Sequence, residues 1–192
     1  MSDTLRAKTV PDVIPWIKVF LDYTDAVCQA LPDDGLEIRP TEPGGGFVFS
    51  ALEQAMHIAD ERWEIMHRLT GDDNAHRLFA KGYPGKDAPW EFRQASREEV
   101  LRSLAEGREF LDSYLNEAAS GSLVGSTLEQ ERAFDAKLTK AQAAGKDTAE
   151  LIARGPENLV NTLMFLVAHE TGHRTVLQHM LRMNGIEVAR MA

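Results

Sequence analysis

His169-Glu170-Thr171-Gly172-His173 sets two imidazoles four residues apart, so on an α-helix they project from one side about 40° from each other. Leu166, Val176 and Met180 fall on the same stripe, which places the pair on an apolar face. Two neighbouring core imidazoles repel when protonated and each needs a hydrogen-bond partner. A divalent metal uses a neutral nitrogen from each at about 2.0–2.1 Å and resolves both difficulties. Metal ligation is therefore the expectation for His169 and His173, and a hydrogen-bonded core pair is the alternative. Gly172, between them, is expected to admit a ligand or another backbone, at a cost of about 1 kcal/mol in helix propensity.

The same five residues match H-E-x-x-H, the zinc-protease pattern in which the glutamate is the general base, and His179 falls where a third ligand would in one protease class. That class breaks the helix with a glycine three residues after the second histidine, and here the position is Val176. On an unbroken helix His179 lies about 15 Å along the axis from His169 and points to another side. The protease reading is disfavoured. The residue types alone leave the third ligand open among His57, His67, His76, His179 and a carboxylate such as Glu61.

The elements that must carry these residues read as helices, because apolar residues recur at helical spacing in long stretches and strand-like alternation is almost absent. The first helix is expected from about Pro11 to Leu31, ended by Pro32-Asp33-Asp34-Gly35. A Pro- and Gly-rich loop then leads to a second from about Phe47 to Leu69. There Ala51, Ala55, Ile58, Ala59, the stem of Arg62, Ile65 and Leu69 share one side of the apolar arc, with Leu52, Met56, Trp63 and Met66 on the other. His57 lies opposite the centre of that arc, with Glu53, Glu61 and Glu64, on a face that either meets solvent or lines a cleft.

Thr70 to Ala95 mixes Gly and Pro with Leu78, Phe79, Tyr83 and Trp90, as an irregular connection pinned by aromatics would. Ser96 and Glu99 form a capping box that opens a third helix to about Ala119, whose core face holds Leu101, Leu104, Phe110, Leu111 and Leu115. Ser126 and Glu129 repeat the box before a polar, Ala-rich helix to about Ala144, read as a shallow excursion. The last helix runs from Glu157 to about Asn184, with Gly185 as its left-handed cap. Its residues Leu159 to Ala168 are apolar nearly all round, so it is expected to be central and buried.

The 192 residues suit one domain, and no internal repeat is visible. With 21 Lys and Arg against 30 Asp and Glu, the net charge of −9 argues against nucleic acid or an acidic membrane surface as partner. One cysteine, Cys28, and no leader-like start make a reducing compartment, the cytoplasm, the expectation. No apolar run approaches the roughly 20 residues a spanning helix needs.

Three stretches resemble the DinB/YfiT-like metalloenzyme family. They are Leu31-Pro32-Asp33-Asp34 with Arg39-Pro40; His57-Ile58-Ala59-Asp60-Glu61-Arg62-Trp63; and His169 to Arg174 followed by Leu181-Arg182-Met183-Asn184-Gly185. Their order and separation match as well. The resemblance implies an all-α four-helix bundle, here with an extra helical excursion before the last bundle helix, and also a homodimer. It implies a triad of His57, His169 and His173 around a divalent ion, zinc or nickel, with water at the open positions. The chain departs from the pattern at Thr175 and Val176, where glycine and glutamine often follow the arginine, and in a longer segment between Gly121 and Gly155. Both departures bear on the pocket and its substrate.

Three histidines and water make an open site rather than a closed structural one. A Lewis acid there lowers the pKa of a bound water or thiol. Characterised members of the family use low-molecular-weight thiols such as bacillithiol or mycothiol. The implied function is a metal-dependent thiol transferase acting on a small electrophile, with Glu61 and Glu170 as candidate proton carriers, further ligands or acceptors behind the ligands. The contrary reading is a metal-stabilised binding or stress-response module without turnover. A cavity of several hundred Å³ beside the ion, lined by aromatics such as Phe47, Trp63 or Trp90, would favour the enzyme.

Overall fold

The structure, a computed structural model, describes residues 10–33, 39, 49–70, 78–81, 90–120, 128–154 and 159–188. They form six helices: α1 (Val10–Gln29), α2 (Ala51–Thr70), α3 (Arg97–Ser120), α4 (Leu128–Ala143), α5 (Ala149–Arg154) and α6 (Leu159–Met183). Among the described residues the regular elements are all helices, and extended pairing is confined to an antiparallel bridge between Ala80 and Phe92. α1 and α2 each pack against both α3 and α6, so these four helices close a ring. None of the described helices is long and apolar enough to cross a membrane.

Local chemistry sets the ends. α3 opens on the expected capping box, with Ser96 N–H donating to Glu99 (2.7 Å) and Glu99 N–H to Ser96 Oγ (3.2 Å). α2 has the same device at Ser50 and Glu53, at 2.7 and 3.2 Å, which starts it four residues later than the apolar pattern suggested. α6 ends as expected. Gly185 takes φ 75°, and the amides of Gly185 and Ile186 close back on the carbonyls of Arg182 and Leu181. The Ser126 box lies outside the described residues, and α5 has no counterpart in the sequence reading. The described side chains of α4 are exposed or half-buried, in keeping with a shallow excursion.

Two expectations about burial are reversed. α6 is not buried all round: Met164 is 47% and Val176 40% exposed, and Ala168 also faces solvent. α2 is the central helix instead. His57, Asp60, Glu61, Arg62 and Glu64 are all buried, so its polar face meets protein. That face is covered because α3 and α6 flank α2, while residues 78–80 are tied to Asp60. On α3, Leu104, Leu111 and Leu115 are buried as expected, but Phe110 is 44% exposed, lying against Trp63.

The core is divided into two apolar clusters. One holds Val27, Leu31, Met56, Ile58, Leu104, Leu177 and Leu181; the other holds Ile14, Ile17, Leu21, Ile65, Leu111, Leu115 and Leu163. Between them along each helix falls a charged layer: Asp22 and Asp25 on α1, Arg62 on α2, Arg108 on α3, which Asp112 joins from one turn further on, and Glu170 on α6. Arg62 is fully buried and donates to both Glu170 oxygens (2.9 and 3.0 Å), to Asp25 (2.9 Å) and to the Leu104 carbonyl (3.0 Å). Arg108 takes the other Asp25 oxygen (3.2 Å) with Asp22 and Asp112. Gly107 makes room, since a Cβ there would stand 3.3 Å from Arg62 Cδ. Burial works against the Arg62 charge, yet Glu170 and Asp25 hold its pKa above the ordinary value.

Candidate metal centre

α2 contributes His57 and α6 contributes His169 and His173, and one ring nitrogen from each lies within 4.8 Å of the other two. Their ring centroids are 5.0 Å (His57 to His169), 4.4 Å (His57 to His173) and 4.6 Å (His169 to His173) apart. His57 is only 5% exposed and the other two are half-buried. Tetrahedral ligation at about 2.0–2.1 Å spaces ligand nitrogens by roughly 3.3 Å. The three nitrogens are thus close enough that they could hold one metal ion, and an all-imidazole donor set suits a transition metal.

The histidines are oriented by their neighbours. His173 Nδ1 lies 2.8 Å from Gln54 Oε1 on α2. Because that oxygen can only accept, Nδ1 carries the proton and Nε2 keeps its lone pair, the tautomer a ligand needs. Burial, reinforced by His169, pushes the His173 pKa down to about 4, so the ring is neutral at pH 7. The folded value is below the ordinary 6.5, so the unfolded chain takes up the proton first as pH falls. The stability this represents is fully present above pH 6.5 and is lost as pH falls through about 4. Urea midpoints of the metal-free protein are expected to fall over that window, and less steeply in His173→Gln.

Aromatic rings surround the imidazoles. Phe49 and Trp90 lie 5.2 and 4.8 Å from His57, Phe165 stacks 5.8 Å from His169, and Phe49 is 6.0 Å from His173. Phe92 extends the wall 5.3 Å beyond Phe49. Asp60, fully buried on α2, holds this wall in place: its carboxylate accepts the amides of Leu78 (2.7 Å), Phe79 (3.0 Å) and Ala80 (2.7 Å). Lys81 N–H to the Glu91 carbonyl and Arg93 N–H to that of Phe79, both 2.8 Å, carry the hold to the strand bearing Trp90 and Phe92.

The other candidates fare differently. Glu61 is buried one turn after His57 but outside the group of three ligand atoms. Glu170 also lies outside it and gives both oxygens to Arg62. The glutamate of the H-E-x-x-H match is thus paired with Arg62 rather than grouped with the histidines, and α6 runs unbroken past Val176, with His179 exposed. The His67 side chain and all of His76 and Phe47 lie outside the described residues. Trp63 is engaged elsewhere, donating to Ser103 Oγ at 3.1 Å.

No described backbone approaches Gly172 closely, since a Cβ there would meet nothing within 4 Å among the described residues. Gly172→Ala is accordingly expected to stabilise by up to about 1 kcal/mol through helix propensity, seen as a rise of about 2–4 °C in melting temperature. A fall would show that something does pack there.

A cleft of about 550 Å³ lies at the amino ends of α2 and α3, lined among others by Leu52, Met56, Phe92, Arg93 and Glu99. None of the three histidines lines it, and Phe49, Trp90 and Phe165 pack on them instead. Sequence reasoning missed Gln54, Phe49, Asp60 and the Arg62 pair. Gln54 alone had a local signal, one helical turn before His57. Comparison with protein-family models and with curated proteins finds no match.

Proposed function

We propose that this chain is a DinB-like four-helix metalloprotein whose His57, His169 and His173 hold a divalent ion, zinc or nickel, and that it joins a small thiol to a small electrophile. The observation that carries the reading is the convergence of three imidazole nitrogens within 4.8 Å from two helices far apart in sequence. Such an ion supplies Lewis acidity, lowering the pKa of a thiol or water at its open position. The chain's own residues do the rest. Gln54 holds His173 in the ligating tautomer, and Phe49, Trp90 and Phe165 shield the imidazoles from bulk water.

A second reading is favoured by a specific observation. None of the three histidines lines the cleft described above, and aromatic rings pack on them, as in a metal-stabilised module without turnover. Thiol consumption measured with a panel of electrophiles separates the two. A rate that needs metal and vanishes in His169→Ala supports the transferase; no metal-dependent rate with any thiol leaves the module.

A further inference from the structure

We infer that the buried Arg62–Glu170 ion pair is a positioning device that sets the register of α2 against α6 and thereby the spacing of the three histidines. The affinity readout of this inference rests on the metal reading above.

Besides the apolar clusters they share, α2 and α6 are linked by two polar contacts described above. One is the histidine cluster with its Gln54 contact; the other is the ion pair. Arg62 follows His57 by five residues, about 7.5 Å along the axis, and Glu170 lies between the two α6 histidines. A slip of one turn, about 5.4 Å, would carry His57 off its partners and at the same time strip a fully buried guanidinium of both carboxylate bonds.

The apolar clusters on either side discriminate less sharply, because burial of Leu, Ile and Met is non-directional and tolerates repacking. A bidentate fork satisfies its hydrogen bonds in one register. Arg62 also binds Asp25 on α1 and the Leu104 carbonyl on α3, so the same guanidinium references α2 to all three neighbours. Buried ion pairs stabilise little compared with an apolar replacement, which leaves orientation as the property this one supplies. It also accounts for the glutamate of the H-E-x-x-H sequence, which serves Arg62 and not the metal.

The test compares wild type with Arg62→Met/Glu170→Leu, and with Glu170→Gln in case the double variant does not fold. Cobalt(II) titration in the absence of other metals gives affinity, and visible absorption gives coordination geometry. The expected result is a double variant with a melting temperature near that of wild type, a cobalt dissociation constant raised ten- to a hundredfold, and a weakened tetrahedral absorption. A merely structural role would move the melting temperature and leave affinity and spectrum alone, and that result would overturn the inference. If wild type itself takes up no cobalt, the metal reading fails and the register is judged without metal. NOEs between the His57 and His173 rings should then be present in wild type and lost in the variant; their retention overturns the inference too.

Discussion

Arg62→Ala is expected to cost about 3–5 kcal/mol, because removing one partner of a buried pair strands the other charge. The buried Glu170 carboxylate would be left without the two bonds at 2.9 and 3.0 Å. Asp25 suffers less, since Arg108 still reaches its second oxygen at 3.2 Å. For a chain of this size the loss corresponds to a melting temperature lower by roughly 6–20 °C, and urea denaturation gives the free energy directly. Because burial already raises the Asp25 pKa, loss of Arg62 raises it further, and the deficit should shrink as pH falls and Asp25 protonates. A loss below about 1 kcal/mol would show that the layer relaxes freely or admits water.

Asp60→Ala should be nearly as damaging, by a local route. Three amides lose their acceptor at once, each worth about 1–3 kcal/mol if stranded. Residues 78–80 can limit the damage by detaching into water, which caps the global loss at about 3–4 kcal/mol. The signature is therefore in hydrogen exchange. Amides of 78–80 should lose protection while those of α1 and α3 keep theirs, and Trp90 fluorescence should shift as the wall over His57 loosens. Asp60→Asn should fall between, since it keeps one acceptor and turns a donor toward the Ala80 amide. Unchanged exchange at 78–80 would mean that the Ala80–Phe92 pairing holds the segment without the carboxylate.

Much of the scaffold was legible because it rests on short-range chemistry. The Ser96–Glu99 box and the Gly185 cap involve residues three to five apart and appear as read. The unbroken course of α6 followed from Val176 standing where a helix-breaking glycine would be needed. What escaped was convergence between distant segments. Arg62 and Glu170 are 108 residues apart, and Gln54 and His173 are 119 apart, so no spacing rule relates them.

The centrality of α2 was hidden for a related reason. A helix covered by partners that supply donors, as the amides of residues 78–80 do for Asp60, can bury Asp60, Glu61 and Glu64, and hydropathy then reads its polar face as solvated. The opposite error on α6 has the same root, because apolar residues all round a helix do not reveal which neighbours exist to cover them. His57 sits where the two errors meet. Periodicity alone left it beside Glu53, Glu61 and Glu64, and the family resemblance alone drew it to the α6 pair, where the fold places its ring.

The most direct test of the three-histidine centre is elemental analysis of protein purified without an affinity tag, with His57→Ala and His169→Ala alongside. The account predicts about one divalent ion per wild-type chain and little in either variant, with both variants folded by circular dichroism. Equal, sub-stoichiometric metal in all three proteins would contradict it.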